Sequence, residues 1–225
     1  MLINQQLGVY LDSFNTTVSG KLGKIQERAY DEGLPIIPKD VVRLIEVVLL
    51  IKKPKRILEI GCGIGFSAAF FTRFLQNGGD VTTIERYSYM EERAVKNIKE
   101  LELEDKINLI KGDAADILPK LARENQKYDF IFMDCGKSKY LSFLPYCLEM
   151  LNKGGLFVAD DVLQSGTVAW EQDKIAKRNR TTYRNMKGFI SKLLNDKGCA
   201  ASVLPIGDGL ILVVKESAGE TIEKN

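Results

Sequence analysis

Residues 56–67 have the sequence RILEIGCGIGFS, in which an apolar run is followed by a glycine-dense turn and the start of a helix. A second apolar run, VTTIE, ends at Glu85. In α/β folds a strand, a glycine turn and a helix start, with an acid at the tip of the next strand, form the pocket for a nucleoside-bearing cofactor. This stretch therefore predicts the fold class and raises the question of which cofactor binds.

From Arg56 onward, short apolar runs alternate with segments long enough for a helix. The runs are RILEI, VTTIE, INLIK, YDFIFM and GLFVA. This alternation predicts an α/β, Rossmann-like, doubly wound sheet that is mostly parallel, with helices on both faces. Two further runs, ASVLP and LILVVK, are joined by the short link IGDG, which predicts a hairpin. We therefore expect seven strands, the last of them antiparallel to its neighbours.

We expect a single domain over residues 1–225, built as a helical N-terminal extension (1–52), a Rossmann-like core (53–216) and a frayed polar tail (217–225). In the extension, helices are predicted at 3–14, 18–32 and 39–52, with Pro35 and Pro38 breaking the chain before the third. A long polar helix is predicted at 171–196.

Composition narrows the chemistry and the cellular setting. The formal charge is +2, too balanced to imply nucleic-acid binding by itself, and the absence of histidine excludes Ser-His-Asp catalysis and His-ligated metals. The four scattered cysteines, without a C-x-x-C pair, suit free thiols in a reducing compartment, so we expect a cytoplasmic protein. The most apolar segment, 41–51, is too short to span a bilayer, and we expect no membrane partner.

The glycine turn favours some cofactors over others. Gly61, Gly63 and Gly65 allow a sharp turn and a close ligand approach, although a tight turn without a ligand would look the same. Phe66 stands where the dinucleotide fingerprint needs its third glycine, which disfavours a nicotinamide cofactor. Ser67 is suited to starting the helix that follows.

Two acids point further. Glu59 lies just before the turn, where it would repel a pyrophosphate but suit a cofactor that carries an amino group. Glu85 ends the second strand, where a carboxylate can accept both ribose hydroxyls.

The segment LEIGCGIG, Glu85 and KGDA at 111–114 together resemble a class I S-adenosylmethionine-dependent methyltransferase. By that resemblance Glu59 and the glycines match the family's E/D-x-G-x-G-x-G signature, the glycines face the methionine part, and Glu85 holds the ribose. Asp113 and Ala114 would meet the adenine. Asp113 could instead simply cap the following helix.

Carboxylates also end the next two strands, with Asp134 after YDFIFM and Asp160 and Asp161 after GLFVA. Because ligands of open α/β sheets bind at the carboxyl ends of the strands, these acids should converge beside the cofactor. Three carboxylates favour Mg²⁺, with Mn²⁺ or Ca²⁺ as substitutes. Loop carboxylates that bond only to nearby amides are the alternative.

The pattern D-x-x-K-x-x-Y from Asp134, the segment DDVLQSG from Asp160 and LPIGDGLILVVK at 204–215 resemble the metal-dependent catechol and caffeoyl-CoA type of O-methyltransferase. The resemblance implies that Asp134, Asp160 and Asp161 hold the metal, and that Lys137 is the catalytic lysine. Asp134 is therefore a candidate catalytic residue, a candidate cofactor contact and a candidate metal ligand. Tyr140 is a candidate for the pocket wall. The family usually has Asn where this chain has Asp161, and the extra negative charge should tighten cation binding and weaken the effect of the metal on the pKa of a substrate hydroxyl.

The sequence leaves two classes of substrate open as the acceptor of the methyl group. The segment 171–192 contains two acidic residues and seven basic ones: Lys174, Lys177, Arg178, Arg180, Arg184, Lys187 and Lys192. This excess of basic residues suits the binding of a phosphate backbone, or a solvated helix face. The run resembles the bacterial branch that methylates 5-hydroxyuridine of tRNA, whose adjacent oxygens mimic those of a catechol.

We expect Mg²⁺-assisted methyl transfer to an oxygen, with tRNA slightly favoured over a small catechol-like or phenylpropanoid phenol. A non-catalytic RNA-binding module and a nicotinamide oxidoreductase are the alternatives of other classes. The resemblance also implies a homodimer.

Overall fold

A computed structural model describes residues 5–216 of the chain, and the predicted frayed tail lies outside this range. The helices are α1 Gln5–Asp12, α2 Lys21–Asp31, α3 Lys39–Lys52, α4 Phe66–Phe71, α5 Ser88–Glu100, α6 Ala114–Arg123, α7 Tyr140–Met150 and α8 Arg180–Leu194. The strands are β1 Arg56–Ile60, β2 Asp80–Glu85, β3 Ile107–Lys111, β4 Tyr128–Met133, β5 Leu151–Ala159, β6 Cys199–Leu204 and β7 Leu210–Lys215.

The seven strands form one sheet in the order β3-β2-β1-β4-β5-β7-β6. The pairs among β1 to β5 are parallel, whereas β7 is antiparallel to both β5 and β6. The predicted fold class, including the hairpin and the antiparallel last strand, is confirmed. The strand order reverses between β1 and β4, and at such a point a crevice opens at the carboxyl ends of the strands.

Both faces of the sheet are buried because successive side chains of a strand point to opposite sides. In β1, Ile57 joins a core cluster with residues of α2 to α5, whereas Leu58 and Ile60 join a second cluster with residues of α6 to α8. The strand β4 divides in the same way. The apolar runs of the sequence are therefore continuous rather than alternating, as strands covered on both faces require.

The long helix predicted at 171–196 is wrong at its start. The structure has two short 3-10 turns, Gln172–Lys174 and Lys177–Asn179, and α8 begins only at Arg180. Between the turns Ile175 is buried and has an extended backbone (ψ 125°), so the chain leaves the helical region to bury this side chain. Arg180 Nε then donates to the Ile175 carbonyl at 3.1 Å.

Smaller differences fall at element ends. The first two helices are shorter than predicted, and β5 begins at Leu151 rather than at Gly155, with a register irregularity opposite Tyr128 and Phe130. Residues 3 and 4 of the first predicted helix lie outside the described range. Within residues 5–216, no helix has the length and apolar character needed to cross a membrane.

Candidate active site

A cavity of about 390 Å³ opens at the carboxyl ends of β1, β2 and β4. This volume falls in the range of small-molecule sites, roughly 300–1,000 Å³. The predicted cofactor residues in its wall are Gly61, Gly63, Ser67, Glu85, Asp113, Ala114 and Asp134. The structure therefore brings most of the predicted set to one place, whereas Glu59 and Gly65 lie outside the cavity wall.

The glycine turn passes very close to the end of β4. A Cβ atom on Gly61 would lie 1.9 Å from the Asp134 carbonyl oxygen, and the φ of Gly61 is +101°. The N–H groups of Gly61 and Cys62 both donate to the Ile84 carbonyl, at 3.1 and 3.0 Å. Only glycine fits at this position, and the turn is thereby fixed against β2 and β4 together.

Gly65 contacts a helix instead of the cavity. A Cβ atom on Gly65 would lie 3.3 Å from the Cα and Cβ atoms of Ala94 in α5. From the same helix Asn97 Nδ2 donates to the Ile64 carbonyl at 2.9 Å. The third glycine thus allows α5 to support the turn from behind.

Glu85 is held by backbone amides. Its Oε2 accepts from Gly63 N–H at 2.8 Å, and its Oε1 accepts from the N–H groups of Arg86 and Tyr87 at 2.9 and 2.8 Å. The carboxylate is therefore fixed at the tip of β2 while it lines the cavity.

Glu59 is fully buried beneath the turn. Thr83 Oγ1 donates to its Oε2 at 2.5 Å, whereas no described residue makes a hydrogen bond to its Oε1. Burial raises the pKa of Glu59 to about 8, against the lowering effect of the Ser67 and Thr83 hydroxyls. Glu59 therefore carries a proton at neutral pH, beneath a turn whose Ser67 lines the cavity.

Asp113 caps a helix and also lines the cavity. Its Oδ1 accepts from Ala115 N–H at 2.8 Å and so caps α6, while the residue also lines the cavity. Its Oδ2 lies 3.8 Å from Arg86 Nη1, an exposed pair at the cavity mouth.

On the acceptor side, Lys137 lies between two of the predicted metal ligands. Its Nζ is 3.2 Å from Asp134 Oδ1 and 2.5 Å from Asp161 Oδ2. Burial opposes the charge, yet the carboxylates of Asp134 and Asp161 raise the pKa of Lys137 above its usual value. Lys137 is therefore an ammonium in this arrangement.

Asp160 is the buried member of the group. Its side chain accepts from Asp161 N–H at 2.7 Å, and burial together with Asp134 and Asp161 raises its pKa to about 7. Burial also raises the pKa of Asp134. As the side chains stand, no three carboxylate or thiol groups within residues 5–216 surround a common point for a metal ion. The donor chemistry nevertheless fits a hard cation, because the candidate ligands are three carboxylates, two of which pair with the Lys137 ammonium.

Tyr140 lies behind the site rather than in the cavity wall. Its buried hydroxyl is 3.0 Å from the Asp160 carbonyl and 3.3 Å from the Met133 carbonyl. It thereby joins the ends of β4 and β5, where the predicted acceptor-side acids lie.

Several wall residues were not predicted from the sequence. They come from the segment before α3, from the residues after Glu85 and from α7: Pro35, Ile36, Ile37, Arg86, Tyr87, Met90 and Phe143. The two prolines marked that segment only as a helix break, and the apolar IIP pattern gave no sign of contact with a cavity.

The basic run adjoins the loop that carries Lys137. Asn185 Nδ2 of α8 donates to the Ser138 carbonyl at 3.0 Å. Most of the basic side chains are exposed, Arg180 is half-buried, and Lys174 pairs with Glu171 at 3.2 Å.

Comparison with known proteins identifies the class. The family model described as O-methyltransferase matches residues 19–216. A caffeoyl-CoA O-methyltransferase of Populus kitakamiensis is 30% identical over 179 residues, which cover 78% of this chain and 76% of the relative. The tapetum-specific methyltransferase 1 of Arabidopsis thaliana is 28% identical over 177 residues, with the same shares covered.

Solved structures share the fold. An O-methyltransferase from Bacillus cereus in complex with SAH superposes with a TM-score of 0.80 at 23% identity, covering 92% of this chain and 96% of that one. The O-methyltransferase TomG from Streptomyces achromogenes, in complex with SAM, has a TM-score of 0.80 at 23% identity and covers 94% and 96%.

The fold and the site thus define an S-adenosylmethionine-dependent methyltransferase. More narrowly, the chain belongs to the O-methyltransferase family, with relatives of the caffeoyl-CoA type.

The buried Glu59 has a measurable effect on stability. Its pKa is about 8 in the folded chain against 4.5 for an ordinary carboxyl group, so between these values the folded state binds a proton that the unfolded state does not. The free energy of unfolding should therefore fall as the pH rises from about 5 to 8. In urea unfolding of the ligand-free protein at these two pH values, Glu59→Gln is expected to remove about half of this slope, because Asp160, whose pKa is raised to about 7, contributes to the rest. The variant should be at least as stable as the wild type at the higher pH.

The matched control is Glu104→Gln, at an exposed position, which should keep the wild-type slope. A wild-type slope that Glu59→Gln leaves unchanged would contradict the assignment of a protonated Glu59.

Proposed function

We propose that this enzyme transfers the methyl group of S-adenosylmethionine to a hydroxyl that lies next to a second oxygen, with the assistance of Mg²⁺, and that 5-hydroxyuridine of tRNA is the favoured acceptor. The observation that supports the acceptor is the exposed basic run at 174–192 beside the loop that carries Lys137. Exposed lysine and arginine side chains in such a row can follow a phosphate backbone.

The cavity wall fits S-adenosylmethionine. Glu85 is fixed where ribose hydroxyls can donate to it, and Gly63 exposes its backbone because a Cβ there would meet only the Pro35 carbonyl, 3.9 Å away. Glu59 lies beneath the same turn, and no described residue makes a hydrogen bond to its Oε1. When bound, the cofactor supplies a methyl group on a sulfonium centre, and the displacement requires donor and acceptor oxygen in line.

The carboxylates at the ends of β4 and β5 would hold the metal ion. We infer that Asp134, Asp160 and Asp161 hold Mg²⁺, which when bound supplies a positive charge that lowers the pKa of a neighbouring hydroxyl. With a cation held there, Asp134 and Asp161 would no longer raise the pKa of Lys137, and its ammonium would release a proton to solvent. The neutral amine would then accept the proton of the acceptor hydroxyl.

A small phenol is the second candidate acceptor. Pro35, Ile36, Ile37 and Phe143 give the cavity apolar walls that suit an aromatic ring. The Populus relative is a caffeoyl-CoA O-methyltransferase.

A homodimer and a cytoplasmic location also stay predictions. The exposed apolar side chains of Leu7, Val9 and Tyr10 on α1 are consistent with the first.

Methyl transfer assays test the proposal directly. Radiolabelled S-adenosylmethionine is supplied with tRNA that carries unmethylated 5-hydroxyuridine at the wobble position, or with a panel of catechols and caffeoyl esters, each with and without EDTA. We expect transfer to tRNA that EDTA abolishes and Mg²⁺ restores. Transfer that is unaffected by chelation would remove the metal from the mechanism, and transfer only to phenols would remove tRNA as the acceptor.

Charge reversal separates the two acceptors. The double variant Lys177→Glu, Arg178→Glu is expected to lower kcat/KM for tRNA by about 10- to 1,000-fold, with a reduced salt dependence, because two phosphate contacts are lost. Transfer to any phenol should be unaffected. The control Lys99→Glu, Lys106→Glu reverses two exposed charges near α5 and β3. An equal loss of tRNA activity in both double variants would contradict a specific basic surface.

Lys137 can be tested as the proton acceptor. Lys137→Met is expected to lower kcat by about 10²- to 10⁴-fold, the usual range for a general base, while the affinity for S-adenosylmethionine changes little. Lys120→Met, at an exposed position of α6, serves as the control. A Lys137→Met enzyme with wild-type kcat would show that another group takes the proton.

A further inference from the structure

The turn between β6 and β7 lies directly against the loop that follows β5. Val162 N–H donates to the Gly209 carbonyl at 2.9 Å, and Leu163 N–H donates to the Asp208 carbonyl at 2.9 Å. The side chain of Asp208 accepts a further hydrogen bond from Ser165 N–H. Asp208 therefore binds the loop through both its backbone and its carboxylate.

The loop has a backbone that needs such support. Asp161, Gln164 and Ser165 all have positive φ angles, of 56°, 50° and 54°. Residues other than glycine rarely adopt this region of backbone conformation, and it persists only where the surroundings impose it. The hydrogen bonds from the turn act on the same few residues.

The fit between the turn and the loop leaves no space for a side chain. A Cβ atom on Gly209 would lie 2.2 Å from Leu163 Cγ, and the φ of Gly209 is +92°. The turn can therefore approach the loop closely enough for the Asp208 carboxylate to reach Ser165 N–H.

The opposite side of the turn is attached to α3. Gly207 N–H donates to Asp40 Oδ2 at 3.1 Å, and a Cβ atom on Gly207 would lie 2.9 Å from Val41 Cγ2. The turn thus contacts both the loop of Asp161 and the start of α3, the helix that follows the cavity-wall segment 35–37.

We propose that Asp208 is a positioning residue for the acceptor side of the site, and that it holds the loop 161–166 so that the Asp161 carboxylate stays beside Lys137. Asp208 acts through the loop and touches no reacting atom. The effect on the acceptor rests on the proposed function, whereas the effect on the loop does not.

Three variants test this role. Asp208→Ala removes the acceptor of Ser165 N–H, and Asp208→Asn keeps an oxygen in the same place. Asp196→Ala is the control, because Asp196 also accepts a backbone amide in a turn, that of Gly198 at 2.8 Å, away from the site. The two readouts are hydrogen exchange of the 161–166 amides by mass spectrometry and the KM values for both substrates.

We expect Asp208→Ala to lose amide protection at 161–166 and to raise KM for the acceptor about tenfold, as a displaced positioning group does. KM for S-adenosylmethionine and its stabilising heat shift should be retained. Asp208→Asn should restore protection and KM, and Asp196→Ala should behave as the wild type in both.

Wild-type protection of the loop in Asp208→Ala would overturn the proposal, and so would equal increases of both KM values or an Asp208→Asn variant as impaired as Asp208→Ala. If the wild type methylates neither tRNA nor phenols, the proposed function fails, and the exchange of the 161–166 amides alone then decides whether Asp208 holds the loop.

Discussion

The close approach of Gly61 to the Asp134 carbonyl is the contact on which the site depends. It brings the turn after β1 against the end of β4, at the place where the strand order of the sheet reverses. Gly61 and Asp134 both line the cofactor cavity, and Asp134 is also one of the candidate metal ligands. A side chain at position 61 would separate the two halves of the site, which is why a glycine is required by geometry rather than by flexibility.

Acidic groups concentrated at this edge of the sheet give the site its electrostatic character. Glu59 is protonated beneath the turn, Asp160 has a raised pKa, and Lys137 balances Asp134 and Asp161. An arrangement of this kind stores unfavourable carboxylate interactions that positive ligands relieve. At the strand ends this situation supports the proposed binding of a cation.

The sequence predicted the sheet well because each buried strand is a compact apolar run between turn signals. RILEI, INLIK, YDFIFM and LILVVK coincide with β1, β3, β4 and β7. It wrongly predicted a helix from residue 171 to the start of α8, because the burial of Ile175 depends on tertiary packing that no local pattern contains. The candidate acids could be predicted because each follows a strand, and ligands of open α/β sheets bind at the carboxyl ends of the strands. The contacts of the site residues were not predictable, because they join segments whose distance in space only the fold determines. Examples are the ion pair of Lys137 with Asp161, the packing of Gly65 against Ala94, and the hydrogen bond from Ser165 N–H to Asp208.

The most direct measurement of this account is a calorimetric titration of S-adenosylmethionine into the wild type and Gly61→Ala, with Gly198→Ala as a surface control. The wild type and the control should bind one cofactor per chain with equal affinity. Gly61→Ala, once its fold is verified by circular dichroism, should bind at least about 100-fold more weakly, because a displacement of about 1 Å in the turn is enough for such a loss. A folded Gly61→Ala protein that binds S-adenosylmethionine as tightly as the wild type would contradict the account.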